Sequence, residues 1–81
     1  MTLEQGITFA NEIFKERYNL KVGKIIECHN FWILYSDSFE VDYGLLPIII
    51  YKNNRVPEDL NFQKMIELSE EIDKGKIIKT L

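Results

Sequence analysis

Two short apolar runs in the middle of the chain, residues 31–35 and 45–51, constrain the fold more than any other feature of the sequence. Both are rich in β-branched and aromatic residues, which favour strands. In the first run Phe31, Ile33 and Tyr35 share one face, whereas Trp32 and Leu34 share the other, because side chains alternate along a strand. Since both faces are apolar, we expect helices to cover one face and the other to remain partly exposed.

An amphipathic helix is predicted before these strands. Thr2 and Gln5 match a capping box, and Asn19 can adopt the left-handed conformation that ends a helix. The residues expected to face the core recur at spacings of three and four, and they are Leu3, Ile7, Ala10, Phe14 and Tyr18. The pattern therefore indicates one helix packed on a sheet.

A second helix is predicted near the end of the chain. Asn61 is the expected N-cap, and Gly75 is the expected residue after the last turn. The stripe that we expect to face inward consists of Phe62, Met65, Ile66, Ser69 and Ile72. For residues 76–81 both a further strand and a packed extension remain open.

Short turns join the predicted strands, so we expect antiparallel pairing. His29 and Asn30 indicate a tight hairpin between strands 22–28 and 31–36, and Asn53-Asn54 indicates a turn after strand 45–51. Residues 55–56 could return as a short strand. The order predicts one α+β domain over residues 1–81, with two layers: an N-terminal helix, an antiparallel sheet of three to four strands and a C-terminal helix.

The charge balance disfavours several classes of partner. The 81 residues carry 13 acidic and 10 basic side chains, a net charge of −3. Without a basic cluster, the chain lacks the electrostatic attraction that drives binding to nucleic acid or to anionic membranes. The apolar runs are too short to span a bilayer, and the first ten residues do not match a signal peptide. We therefore predict a cytoplasmic protein that a basic partner would attract.

The sequence offers little for catalysis or metal binding. Cys28 and His29 are the only pair that suggests a nucleophile, but neighbouring strand residues point to opposite faces and cannot easily hydrogen-bond. A structural zinc site needs about four Cys or His ligands, and this chain has one of each. We therefore predict a non-enzymatic domain that needs no cofactor and no metal.

The most informative segment for function is residues 36–44, a loop that mixes acids with aromatic side chains. We predict that it forms a partner-binding surface together with the acidic side of the second helix, because an aromatic anchor within a charged rim is typical of an interface hot spot. The alternative is that the aromatic residues only fold the loop onto the sheet. The predicted binding residues are Asp37, Phe39, Glu40, Asp42, Tyr43, Glu67, Glu70 and Glu71.

Two of the strands also carry a family resemblance. The leading helix, the strand FWILYS at residues 31–36 and the stretch GLLPIIIYKNN at residues 44–54 resemble the immunity protein 35 family. Members are small bacterial proteins thought to neutralise toxins used in bacterial competition. The resemblance covers residues 5–55 and implies a protein that inhibits a toxin by binding it. The alternative function is a structural or regulatory subunit that forms a homodimer through an exposed sheet face.

We predict that replacing Asp37, Glu40 and Asp42 by their amides slows association with a basic partner and weakens its salt dependence, because acids at the rim steer encounter. Phe39→Ala should mainly speed dissociation, by analogy with hot spots worth about 2 kcal/mol or more. Binding kinetics and melting temperature are to be measured on the same variants. Early melting with normal binding would mean that the loop only covers the core.

Overall fold

A computed structural model of the chain describes residues 2–37, 46–53 and 56–80. It confirms the α+β class. The elements follow in the order α1 (Leu3–Tyr18), β1 (Val22–Glu27), β2 (Phe31–Ser36), β3 (Ile48–Tyr51), β4 (Glu58–Asp59), α2 (Phe62–Glu67), α3 (Ser69–Asp73) and β5 (Lys76–Thr80). The sheet is antiparallel and has five strands, rather than the three or four that were predicted, in the order β4-β3-β2-β1-β5.

Helix α1 begins and ends where the sequence predicted. The Thr2 hydroxyl accepts a hydrogen bond from the backbone N–H of Gln5, and the Gln5 side chain accepts one from the backbone N–H of Thr2. Asn19 ends the helix with a φ of 56°. This capping satisfies backbone groups that a helix end leaves without partners. Ala10 and Phe14 are buried as expected, and Gly6 is buried beside them.

The hairpin of β1 and β2 also lies where it was predicted, with His29 and Asn30 between the strands. The remaining strands differ from the prediction. The third strand starts at Ile48, directly after Pro47, whose carbonyl accepts a hydrogen bond from the N–H of Leu60. The described strand that returns along β3 is β4; Val56 is not part of it, and Arg55 lies outside the described residues.

Two apolar clusters lie on opposite faces of the sheet. Ile48 and Ile50 of β3 pack with Ala10 and Phe14 of α1, whereas Ile49 belongs to the other cluster. That second cluster contains the side chains that α2 and α3 turn towards the sheet, and they are Met65, Leu68 and Ile72. Among the described residues, both faces of the central strands are therefore covered. The uncovered face on which the homodimer hypothesis depended is not present there.

The predicted inward stripe of the second helix is wrong at three positions, because Phe62, Ile66 and Ser69 are exposed. Phe62 is 76% exposed and Ile66 is 55% exposed, whereas Leu68, which the prediction omitted, packs inward. The helical segment is interrupted at Leu68, where φ is −104° and ψ is 12°, so it forms two short helices rather than one. The Asn61 side chain does cap α2, as predicted, by accepting a hydrogen bond from the N–H of Lys64.

We predict that Gly23→Ala destabilises the fold. A Cβ at this position would lie 2.5 Å from the Cα of Asp37, so the backbone would have to move. Overpacking of this kind costs about 1–3 kcal/mol, and each kcal/mol lowers the melting temperature of a small domain by roughly 4–8 °C.

Gly6→Ala is the matched control. Its Cβ would meet only the terminal Cδ1 of Ile50, at 2.5 Å, and that methyl group can rotate away. Alanine also favours a helix over glycine by about 1 kcal/mol. The loss should therefore be smaller than for Gly23→Ala, and equal melting temperatures for the two variants would contradict this account.

Candidate functional site

Asp37 has a structural role at the end of β2. Its Oδ1 accepts a hydrogen bond from the backbone N–H of Lys21 at 3.2 Å, and its own N–H donates to the carbonyl of Lys21 at 2.8 Å. The side chain also borders an open depression of about 370 Å³ near the end of α1, beside Lys15 and Asn19. The carboxylate therefore holds the start of β1, so it is not simply a solvated rim charge.

The four other loop residues that were predicted to bind a partner are Phe39, Glu40, Asp42 and Tyr43, and they lie outside the described residues. Their role stays a prediction. The three predicted glutamates of the second helical segment are exposed: Glu67 on α2, and Glu70 and Glu71 on α3.

The structure does not bring Asp37 and Glu71 together. Asp37 follows the last residue of β2, whereas Glu71 borders a second depression, of about 550 Å³, beside His29 and Asn30 at the other end of that strand. A strand of six residues is roughly 20 Å long, from the usual rise per residue. If a partner contacts both carboxylates, it must therefore extend along the whole strand.

Cys28 is poorly suited to act as a nucleophile. Its side chain is 5% exposed and packs in the cluster below α2 and α3. Burial is the main cause that raises the pKa of the thiol, and the nearby carboxylates of Glu71 and Glu27 raise it further against the opposing effect of Lys52. A raised pKa keeps the sulfur protonated, and the thiolate is the reactive form. His29 is exposed in the hairpin turn.

The best-defined polar contacts join β1, β2 and the residue that follows β3 at the hairpin end of the sheet. The Oε2 of Glu27 accepts hydrogen bonds from Nε1 of Trp32 and from Nζ of Lys52, both at 3.1 Å. The ammonium of Lys52 lies 5.2 Å from the centre of the Trp32 ring, within the range of a cation–π contact. The bonds from Lys52, and secondly from Trp32, lower the pKa of Glu27. The carboxylate of Glu27 is therefore bonded to Trp32 and to Lys52 at once.

Metal binding and membrane insertion receive no support from the part of the chain that the structure describes. There, no three His, Cys, Asp or Glu side chains stand close enough to share an ion. Over the same residues, no helix has the length and apolar character needed to cross a bilayer.

A surface that the sequence analysis missed lies on α2. Phe62 and Ile66 are four residues apart, which places them on the same side of the helix, and both are largely exposed. Glu67 directly follows Ile66, Glu70 lies four residues after it on α3, and both glutamates are exposed. We call these four residues the α2 surface.

The signal that could have revealed it is the spacing of Met65, Leu68 and Ile72, which also fits a helix and leaves Phe62 and Ile66 outside.

No protein-family model matches this sequence, and the searches of curated proteins and of solved structures found no match either. The resemblance to the immunity protein 35 family therefore stays a prediction. The argument for function depends on the geometry of the chain itself.

We predict that Glu27 makes the stability of the fold depend on pH. Its pKa is lowered from the ordinary value of 4.5, so its contribution is fully present above that value and is lost as the pH falls through the folded-state pKa. The difference in free energy of unfolding between the wild type and Glu27→Gln should therefore be larger at pH 7 than at acidic pH. Denaturant titrations at several pH values measure it.

Glu12→Gln serves as the control, because Glu12 is exposed on α1, away from this cluster. Its difference from the wild type should change less with pH. A pH-independent difference for Glu27→Gln would show that Lys52 and Trp32 do not stabilise the carboxylate.

Proposed function

We propose that this chain is a non-enzymatic protein-binding domain that holds a basic partner on the α2 surface, and that its biological role is to neutralise a bacterial toxin. The observation that carries the proposal is the exposure of Phe62, 76%, and of Ile66, 55%, on one side of a short helix. The resemblance to the immunity protein 35 family motivates the biological setting. A cytoplasmic location is part of the same proposal.

Leaving Phe62 and Ile66 exposed means that so small a domain forgoes stability that their burial would provide. Burying a large apolar side chain stabilises a protein by about 1.5–3 kcal/mol, and the fold leaves that free energy unused at two neighbouring positions. Partner binding would recover part of it. An aromatic side chain with an aliphatic neighbour is the kind of anchor that dominates binding energy at interfaces.

The charges beside the anchor favour a basic partner. The carboxylates of Glu67 and Glu70 are exposed, as are those of Glu71 and Asp73 further along α3. None of these four forms an ion pair with another described residue. Exposed carboxylates at the rim of an interface raise the association rate of a basic partner and make that rate sensitive to salt.

Inhibition by binding requires no chemistry from this chain. An interface of standard size buries about 800 Å² on each partner, which a domain of this size can provide. The enzymatic alternative would depend on Cys28 and His29, the first buried and the second exposed in a turn. Replacing both by alanine should leave protection intact, whereas its loss in a folded double variant would support catalysis.

The test requires a candidate toxin, and a toxin gene next to the gene for this chain would supply it. We expect co-expression of the wild-type chain to protect cells from that toxin, and the double variant Phe62→Ala/Ile66→Ala to lose protection. Truncation at a hot spot costs about 2 kcal/mol or more, which corresponds to roughly a 30-fold weaker affinity. The melting temperature should change little, because neither side chain contributes to the core.

Phe9→Ala is the matched control, since Phe9 is 44% exposed on α1, which covers the opposite face of the sheet. It should bind and protect like the wild type. Normal protection by the Phe62→Ala/Ile66→Ala variant would place the interface elsewhere. Absence of protection by the wild-type chain would refute the immunity role itself.

A further inference from the structure

The strand β5 forms one edge of the sheet. Its five residues pair with β1, and no described residue pairs with its outer side. The opposite edge is β4, which has only two residues. An edge strand presents a row of backbone N–H and C=O groups that another strand can bind.

The side chains of this edge are unusually apolar. Ile77 is 62% exposed and Ile78 is 43% exposed. The register pairs Ile26 with Ile77 and Ile25 with Lys79, so it skips Ile78, which lies in a bulge with no direct partner on β1. Apolar residues on an edge invite pairing with another chain, whereas a bulge and neighbouring lysines limit which chain can pair.

Positive charge stands at the start of the same edge. Lys74 and Lys76 are exposed, and neither forms an ion pair with a described residue. Lys52, which borders the same depression, is in contrast already bonded to Glu27. Glu27 lies opposite Lys76 in the register of β1 and β5, but its carboxylate already accepts a hydrogen bond from Lys52. Glu71, which also borders the depression, forms no ion pair with a described residue. A carboxylate from outside would find an available partner here.

We propose that the outer edge of β5 receives an extended segment of a partner protein in which acidic and small apolar residues alternate. Lys76 and Ile77 are neighbours in the strand, so their side chains point to opposite faces of the sheet. An alternating segment would place its carboxylates on the side of Lys76 and its apolar side chains on the side of Ile77. Neither Phe62 nor Ile66 borders the depression at this edge. The edge carries the opposite charge to the α2 surface and adjoins it at α3, where Lys74 follows Glu70 by four residues.

A second copy of this chain fits the edge less well. It would bring its own Lys74 and Lys76 to the same edge, and like charges across paired strands are destabilising. Charge complementarity therefore favours an acidic segment.

The probe is a blocked synthetic peptide of alternating valine and glutamate, titrated up to about 1 mM into the isotopically labelled full chain and followed by nuclear magnetic resonance. We expect chemical-shift changes in the amides of β5, and slower hydrogen exchange at those amides that do not bond to β1. A peptide with lysine in place of glutamate should bind more weakly. Equal binding of both peptides, or no shift in β5, would overturn the proposal.

Charge-reversed variants distinguish an effect of charge on peptide binding from an effect on folding. Lys76→Glu should weaken binding of the acidic peptide roughly fivefold, from the size of cross-strand charge pairs. Lys21→Glu changes the net charge equally at an exposed position near the other end of β1, and it should leave binding unchanged. Lys74→Glu repeats the test at a position outside the strand if Lys76→Glu does not fold. Normal binding by a folded charge-reversed variant would contradict the charge argument.

Two further measurements distinguish the alternatives. Phe62→Ala should not alter peptide binding, because Phe62 does not border the depression at this edge, so this proposal and the immunity role can fail independently. Sedimentation without peptide should show a monomer. A dimer that protects the β5 amides from exchange would overturn the acidic segment and identify a second copy as the occupant.

Discussion

Burial of both faces of the two central strands is the constraint from which the rest of the structure follows. In β2, Ile33 and Leu34 point to opposite faces, and both are fully buried. In β3, Ile49 and Ile50 do the same. A sheet with two apolar faces needs cover on both sides. One long helix provides it on the first face, and two short helices provide it on the second.

The helices on the two faces of the sheet pack differently, and the difference bears on function. Helix α1 lies so close to the sheet that a Cβ on Gly6 would meet the Cδ1 of Ile50 at 2.5 Å. On the other face, α2 and α3 are interrupted at Leu68 and are too short to bury more than one narrow stripe. Phe62 and Ile66 are consequently left in solvent. The proposed binding surface is thus a by-product of how the thinner layer packs.

The net charge of −3 conceals two surfaces of opposite sign. Exposed glutamates accompany the apolar pair on α2, whereas exposed lysines accompany the apolar edge of β5. Composition alone suggests a uniformly acidic protein that attracts only basic partners. The fold instead places the glutamates and the lysines on adjoining surfaces, so one small domain can offer two interfaces with different preferences.

Local chemistry by itself determined the turns and caps. Thr2 and Asn61 cap the starts of helices, and Asn19 ends one. Their side chains and backbone satisfy neighbouring groups without help from distant residues. The hairpin at residues 29–30 was equally predictable. Of the predicted site, the sequence identified the exposure of Glu67, Glu70 and Glu71, since charged residues seldom lie buried unpaired.

Only the tertiary structure decided which apolar residues of the second helical segment face inward. It also decided which contacts form at the end of β2. Phe62 and Leu68 are equally apolar in sequence, and the break at Leu68 turns one inward and leaves the other exposed. Asp37 is used to hold Lys21, a contact between residues 16 positions apart. The pairing of β5 with β1 joins still more distant segments. Each of these contacts depends on which distant segment lies nearby in the folded chain, and local sequence patterns do not encode that.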